Sequence, residues 1–143
     1  MKGARMIRKL LFGTAILLGA QYLAAEVVDI GSLLAKFHAT TLSDLYGKLD
    51  KPLIIDVFGD RCPNCSRFGP VFHKVGSEVG QQAYFVSFNH TTAVGSEARR
   101  LYNIQRIPFL IVVKDGSVRH NGVFEGNEST LRALLRQSAG LNV

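Results

Sequence analysis

Two cysteines, Cys62 and Cys65, are the residues of this chain best suited to redox chemistry, and they are its only cysteines. Pro63 and Asn64 separate them, so one turn of a helix would bring the two sulfur atoms together. A disulfide between residues three apart closes a very small loop and constrains little of the unfolded chain. The spacing therefore favours a dithiol that closes and reopens its disulfide over a purely structural bridge.

The sequence around the cysteines predicts a strand, a short turn and a helix. The run from Leu53 to Phe58 is apolar on both alternating faces except at Asp56, which is typical of a central buried strand. Gly59 and Asp60 break this run. A helical pattern of apolar residues then extends from residue 62 to about residue 79.

Cys62 is the predicted nucleophile because it stands where this helix begins. The first turn of a helix offers unpaired N–H groups and the positive end of the dipole. Such a position lowers the pKa of a thiol from about 8.5 towards about 3.5–7.5. Arg61 adds a positive charge beside the thiol, unless it is only a solvated surface residue. Cys62 would attack a substrate disulfide, and Cys65 would then attack Cys62 and release the reduced substrate.

Asp56 is the predicted proton acceptor for Cys65. A carboxyl group in a buried strand is costly unless it has a role or partners, and desolvation should raise its pKa. With a raised pKa, Asp56 could take the proton from Cys65 through a water molecule. The alternative is that Asp56 lies at the strand end as a hydrogen-bonded, inert acid.

Together, these residues resemble the active-site region of a thioredoxin. The resemblance covers roughly residues 42–135, and rests on the CxxC motif with Asp56 six residues before it and Pro70 five residues after it. It implies an α/β thioredoxin fold, with a central mixed β-sheet and helices on both faces. It also implies a protein-disulfide oxidoreductase that uses no cofactor beyond the redox-active disulfide Cys62–Cys65.

The resemblance further implies a cis proline that faces the dithiol from a distant segment. Ile107-Pro108, directly before the apolar run from Phe109 to Val113, fits this position. A substrate strand would then pair with the backbone N–H and C=O of Ile107. The substrate-binding residues would accordingly be Ile107, Pro108, Arg61, Pro63 and Asn64.

The chain departs from the usual thioredoxin pattern in three places, at Arg61 instead of Trp, at Pro63-Asn64 instead of Gly-Pro, and at Ser87 instead of a lysine near the buried acid. A proline in the first spacer position resembles the strongly oxidising relatives. The residue before the predicted cis proline and the position of the buried acid resemble the reducing ones. The direction of electron transfer is therefore open, and a reductase or interchange protein is the favoured prediction.

Residues 1–25 read as a secretory signal peptide, followed by a single domain over residues 26–143. Four basic residues open this leader, an apolar run from Leu10 to Gly19 follows, and Leu23-Ala24-Ala25 ends it with small residues suited to cleavage. The alternative is an uncleaved membrane anchor over residues 10–25, although its apolar run is shorter than the ~20 residues that a span prefers. We therefore expect a periplasmic protein, in a compartment where disulfides persist.

Composition argues against several other classes of function. The chain has 17 Lys and Arg against 11 Asp and Glu, but four of the basic residues lie in the leader, which leaves 13 against 11. The high pI is therefore no sign of nucleic-acid binding. The four histidines are scattered and supply no four-ligand zinc site, so no metal is expected. Ser66 follows the second cysteine, which excludes covalent haem because haem attachment needs CxxCH.

The pattern of apolar residues and turn signals along the chain predicts the element order β-α-β-α-β-β-α. The segment from Glu26 to Ile30 is a candidate edge strand. Asp115-Gly116 is a hairpin turn signal between two strands. Ser129 is the predicted N-cap of the last helix.

The sequence thus predicts a monomeric thiol-disulfide oxidoreductase. Its predicted partners are proteins with disulfides and an upstream thiol donor, for which a membrane electron transporter is a candidate. Cytochrome c maturation and the recycling of oxidised cysteines are candidate roles. The alternative is a binding or assembly subunit of the same fold whose cysteines only dock a partner, and turnover of a small disulfide would separate the two.

Overall fold

A computed structural model describes residues 27–143, which form a four-stranded mixed sheet with helices packed against both faces. The leader predicted over residues 1–25 lies outside the described residues and stays a prediction. No helix within residues 27–143 has the length and apolar character that crossing a membrane requires.

Five α-helices and four β-strands follow one another along residues 27–143. They are α1 (Ile30–Lys36), α2 (Leu42–Tyr46), β1 (Leu53–Phe58), α3 (Pro63–Val79), β2 (Tyr84–Asn89), α4 (Ala93–Tyr102), β3 (Phe109–Lys114), β4 (Ser117–Val123) and α5 (Glu128–Ala139). A short 3-10 helix, Gly80–Gln82, joins α3 to β2. From β1 onward, the predicted order β-α-β-α-β-β-α is confirmed.

The sheet has the strand order β2-β1-β3-β4, so β1 and β3 are its interior strands. β1 pairs in parallel with β2 and antiparallel with β3. β3 and β4 form a hairpin that turns at Asp115-Gly116, where φ is 52° and 74°. Positive φ at both central residues is what a two-residue type I′ turn requires, and the predicted hairpin is confirmed.

Alternate side chains of β1 point to opposite faces of the sheet, and each face has its own helices. Leu53, Ile55 and Val57 pack in the core with α1, α2 and α4. Ile54 packs in the other core with α3 and α5. Asp56 lies two residues after Ile54, so the same alternation turns it towards α3, the helix that begins at the cysteines.

The predicted edge strand from Glu26 to Ile30 is wrong in its extent. Val28 forms only an isolated parallel bridge with Val86, and α1 already begins at the last residue of the predicted strand. Asp29 ends the extended segment because its carboxylate accepts the Ser32 N–H at 2.9 Å and caps α1.

The N-cap of α5 is Asn127 and not Ser129, which corrects the prediction. Asn127 Oδ1 accepts the Thr130 N–H at 3.0 Å, and Thr130 Oγ1 accepts the Asn127 N–H at 2.7 Å. This reciprocal capping box satisfies N–H groups that the helix itself leaves without partners. Residues 125–130, around the start of α5, include no large apolar side chain, so the apolar pattern does not show which of them is the cap.

We expect Asn127→Ala to lower the free energy of unfolding by about 1 kcal/mol, because it removes the cap of α5. Ser129→Ala is the matched control, and since Ser129 is exposed it should change stability by less than about 0.5 kcal/mol. Urea unfolding followed by circular dichroism would measure both changes. Equal losses in the two variants would contradict the assignment of the cap to Asn127.

Candidate active site

The cysteine pair lies at the N-terminus of α3, directly after β1. Cys62 is the N-cap residue and Cys65 lies in the first turn. The two residues form a disulfide, with their Cα atoms 5.2 Å apart. Cys62 is half-buried, whereas only 7% of Cys65 is exposed. A nucleophile must reach its substrate, so accessibility favours Cys62 for that role.

A backbone N–H group of the first helical turn is directed at Cys62. The Cys65 N–H donates to Cys62 Sγ at 3.2 Å. After reduction, a thiolate at Cys62 would accept this hydrogen bond at the positive end of the α3 dipole. Hydrogen bonding to the charged form favours that form, so the geometry favours the Cys62 thiolate.

The loop before β3 faces the disulfide from a distant part of the chain. The carbonyl oxygen of Ile107 lies 3.8 Å from Cys62 Sγ, and the Ile107–Pro108 peptide bond is cis. Pro108 is buried, and its carbonyl accepts the Phe124 N–H at 2.9 Å. This hydrogen bond ties the loop to the segment after β4 and holds the backbone of Ile107 beside the accessible sulfur.

Asp56 is the only buried polar residue among residues 27–143, with 2% of its surface exposed. Ser87 lies opposite it on β2, and Ser87 Oγ donates to Asp56 Oδ2 at 3.2 Å. Asp56 Oδ1 has no hydrogen-bond partner in the described part of the chain. Burial raises the pKa of Asp56 to about 7, and the Ser87 hydrogen bond opposes this only in part. The carboxyl group can therefore gain or lose a proton near neutral pH.

A cleft of about 410 Å³ connects Asp56 with Cys65. Ser87 on β2, His73 on α3 and Arg61 before α3 also line this cleft. Because Asp56 and Cys65 line one cavity, a water molecule in it could carry a proton from the Cys65 thiol to Asp56.

His73 belongs to this cleft although the sequence indicated no such role for it. Cys65, Gly69 and His73 follow one another at spacings of four residues, which places them along one side of α3. This helical spacing is the signal by which the sequence could have identified the histidine.

The other residues predicted to contact substrate lie around the disulfide. Arg61 directly precedes Cys62, Pro63 and Asn64 lie between the two cysteines, and Arg61 is exposed with a positive φ of 53°. The side chain of Arg67 donates to Asn64 Oδ1 at 3.4 Å. Within residues 27–143, no group of three or more His, Cys, Asp or Glu residues is arranged to hold a metal ion.

Comparison with known proteins identifies relatives of this chain. The sequence model of the family described as Thioredoxin matches residues 34–137. Thioredoxin C-2 of Corynebacterium nephridii is 27% identical over 89 residues, which cover 62% of this chain and 81% of that protein. The chloroplastic Thioredoxin Y of Oryza sativa subsp. japonica is 29% identical over 87 residues, which cover 61% of this chain and 49% of that protein.

Solved structures share the fold described above. The crystal structure of the Malassezia sympodialis thioredoxin superposes with a TM-score of 0.54 at 25% identity, covering 63% of this chain and 76% of that one. The solution structure of the oxidised Plasmodium falciparum thioredoxin also gives a TM-score of 0.54 at 25% identity, covering 68% of this chain and 88% of that one.

Proposed function

This chain belongs to the thioredoxin family, and from that premise we propose that its cysteine pair acts as a protein-disulfide reductase or interchange couple. Members of the family are thiol-disulfide oxidoreductases that act on protein disulfides and use no cofactor. The observation that carries the proposal is the setting of Cys62, whose half-buried sulfur receives the Cys65 N–H at 3.2 Å and lies 3.8 Å from the Ile107 carbonyl oxygen.

The first step of the proposed reaction is attack by the Cys62 thiolate on one sulfur atom of a substrate disulfide. A bond forms between Cys62 Sγ and that sulfur, the substrate S–S bond breaks, and the other substrate sulfur leaves as a thiolate. In the second step, the deprotonated Cys65 attacks Cys62 Sγ and displaces the remaining substrate sulfur. Two electrons have then passed to the substrate, and the protein holds the disulfide found in this structure.

Asp56 serves the second step by accepting the proton that Cys65 must lose. Its raised pKa makes it a base near neutral pH, and its Oδ1 is without a partner among the described residues. Both residues line the same cleft, so the transfer can run through water in that cleft. Ser87 holds the other carboxyl oxygen and orients the group.

The substrate segment is proposed to bind as an extended strand along the backbone of Ile107. Pairing with an exposed backbone edge supplies affinity with little dependence on side chains. The cis Ile107–Pro108 bond lies at this edge, and the exposed residues Arg61, Pro63 and Asn64 flank Cys62 in the chain.

We further propose that this chemistry takes place in the periplasm. Support comes from the leader-like residues 1–25, which would either be cleaved or anchor the domain to the membrane. An upstream thiol donor, with a membrane electron transporter as the candidate, would reduce the Cys62–Cys65 disulfide after each cycle. Cytochrome c maturation and the recycling of oxidised cysteines are the processes that need such a reductant.

The test of this function is turnover together with the reduction potential. With dithiothreitol as donor, the protein should reduce insulin over many cycles, whereas a binding subunit would react once at most.

The helix N–H and Arg61 favour the reduced thiolate, so the reduction potential of the Cys62–Cys65 pair should lie above about −270 mV and below about −120 mV. Arg61→Gln should lower it by less than about 30 mV, since Arg61 is exposed to solvent, and Arg61→Lys should leave it nearly unchanged. A wild-type potential at or below about −270 mV would contradict this electrostatic reasoning.

A further inference from the structure

A second cleft, of about 190 Å³, lies beside the dithiol and is rich in basic side chains. Its lining includes His90, Arg99 and Arg106 together with Ile107, and we refer to it as the cationic cleft. We propose that the cationic cleft binds an acidic side chain of the substrate, close in sequence to the cysteine that Cys62 attacks. This inference rests on the proposed function, because it names the substrate class of the same site.

Two contacts place the cationic cleft next to Cys62. Ile107 forms part of the cleft, and its carbonyl oxygen lies 3.8 Å from Cys62 Sγ. Gly59 packs tightly against the cleft, since a Cβ atom at that position would lie 2.5 Å from Ile107 Cδ1 and 2.7 Å from His90 Cδ2. The lack of a side chain at Gly59 therefore lets His90 and Ile107 approach the segment that leads into the cysteines.

The cleft is built on regular elements of the fold. The His90 N–H donates to the Phe58 carbonyl at 2.8 Å, which fixes the histidine at the end of β1. Arg99 lies in the last turn of α4, where its carbonyl accepts the Ile104 N–H at 3.3 Å. Because these backbone positions are held by hydrogen bonds, the fold itself gathers the basic side chains at this place.

Neighbouring acidic residues do not neutralise the cationic cleft. Arg106 forms an ion pair with Glu125 at 3.3 Å, but the two side chains are 68% and 63% exposed. Water screens such a pair strongly, so Arg106 can exchange Glu125 for a carboxylate of the substrate. Arg99 makes no ion pair within residues 27–143. The cleft therefore carries two arginines against one loosely held acid.

The extended binding mode brings substrate side chains to this cleft. A strand that pairs with the backbone of Ile107 directs every second side chain to the same side. An Asp or Glu near the substrate cysteine can therefore meet Arg99 or Arg106, and a guanidinium group binds a carboxylate through two parallel N–H groups. A Lys at the same position would meet like charge, so the cleft would select substrates by charge.

The experiment compares peptide disulfides that differ in one side chain. Each peptide has a single cysteine joined by a disulfide to 2-thiopyridine, and Glu, Gln or Lys is placed in turn at the neighbouring positions on either side. The second-order rate of thiopyridone release is measured with the reduced protein. At the best position, the Glu peptide should react about two- to fivefold faster than the Gln peptide, and the Lys peptide slower than both.

Single arginine-to-glutamine variants on α4 and in the loop after it test which arginines produce the preference for the Glu peptide. In Arg99→Gln, and likewise in Arg106→Gln, the Glu-to-Gln rate ratio should fall towards one. Arg100→Gln removes the adjacent exposed arginine, which does not line the cleft, and should keep the wild-type ratio. High salt should reduce the wild-type ratio, since an exposed ion pair is screened.

A Glu-to-Gln rate ratio of one at every peptide position in the wild-type protein would overturn the proposal. An equal fall of this ratio in all three variants would overturn it as well. Insulin turnover with dithiothreitol separates this failure from failure of the proposed function. If the protein turns over insulin but shows no preference for the Glu peptide, the oxidoreductase holds and only the role of the cationic cleft falls. If it does not turn over insulin, the proposed function falls as well.

Discussion

Cys62→Ser should abolish the reduction of disulfides by this protein, whereas Cys65→Ser should still attack a substrate and remain joined to it. Cys62 is the more exposed of the two cysteines and its sulfur receives the Cys65 N–H at 3.2 Å, so only its loss removes the first step. Removal of a nucleophile typically lowers an enzymatic rate by more than about 10³-fold. We therefore expect insulin reduction by Cys62→Ser to fall to the uncatalysed background.

The trapped species distinguishes the two cysteines. Cys65→Ser keeps the nucleophile but lacks the thiol that resolves the mixed disulfide, so a protein–substrate adduct should accumulate. Non-reducing electrophoresis and intact-mass measurement would detect it, and dithiothreitol should release it. The double variant is the control and should form no adduct. If adducts form with Cys62→Ser and not with Cys65→Ser, the nucleophile is Cys65 and the assignment is reversed.

Asp56→Asn should stabilise the protein at neutral and alkaline pH. Burial raises the pKa of Asp56 from 3.8 to about 7, so ionising this carboxyl group costs more in the folded chain than in the unfolded one. The folded state binds the proton more tightly, and the free energy of unfolding therefore falls as pH rises from about 4 to about 7. The slope is about 1.4 kcal/mol per pH unit, or about 4 kcal/mol over the range. Below about pH 4 the carboxyl is protonated in both states and this contribution no longer varies.

The measurement is a set of urea midpoints for the disulfide form of both proteins between pH 4 and 8. The amide that replaces the carboxyl group in Asp56→Asn has no titrating proton. A loss in the free energy of unfolding from a poorly paired NH₂ group would therefore be the same at every pH. It would shift the whole variant curve without changing its slope. Ser87→Ala is the control, because it removes the hydrogen bond to Asp56 Oδ2 but keeps the titrating carboxyl group. Parallel wild-type and Asp56→Asn curves would show that Asp56 remains ionised in the fold.

The same substitution should slow the second step of the reaction. Without the carboxyl group, Cys65 loses its nearby proton acceptor, and such acceptors contribute about 10²-fold or more to rate. Stopped-flow measurement of substrate release, after rapid formation of the mixed disulfide, would report this step separately from the first. A gain in stability with no change in release rate would show that Asp56 takes no part in the second step.

The local features around the cysteines follow from the sequence because they depend on neighbouring residues. A continuously apolar segment predicts β1, which lies in the interior of the sheet and is buried on both faces. Cys62 stands at the end of the turn after it and caps α3. Asp115-Gly116 favours positive φ at two successive positions, and the hairpin turns there.

Helix and strand boundaries that depend on competition between neighbouring polar side chains could not be predicted from the sequence. Asn127, rather than Ser129, caps α5, because only Asn127 enters the reciprocal hydrogen bonds with Thr130. The apolar residues after Glu26 suggested a strand, but the Asp29 cap begins α1 and leaves only a single bridge at Val28. In both places the hydrogen bonds of side chains decide a boundary that apolar periodicity does not mark.

Tertiary structure decided how segments that are distant in the chain are placed in space. Asp56 and Cys65 are already paired by the resemblance, and they line one cleft because β1 and α3 pack on one another, whereas the position of Ser87 opposite Asp56 depends on the pairing of β1 with β2. His90, Arg99 and Arg106 come from three places along the chain, and no spacing in the sequence relates them. Local preferences arise from the backbone and its near neighbours, whereas the distances between segments arise from how the two cores pack against the sheet.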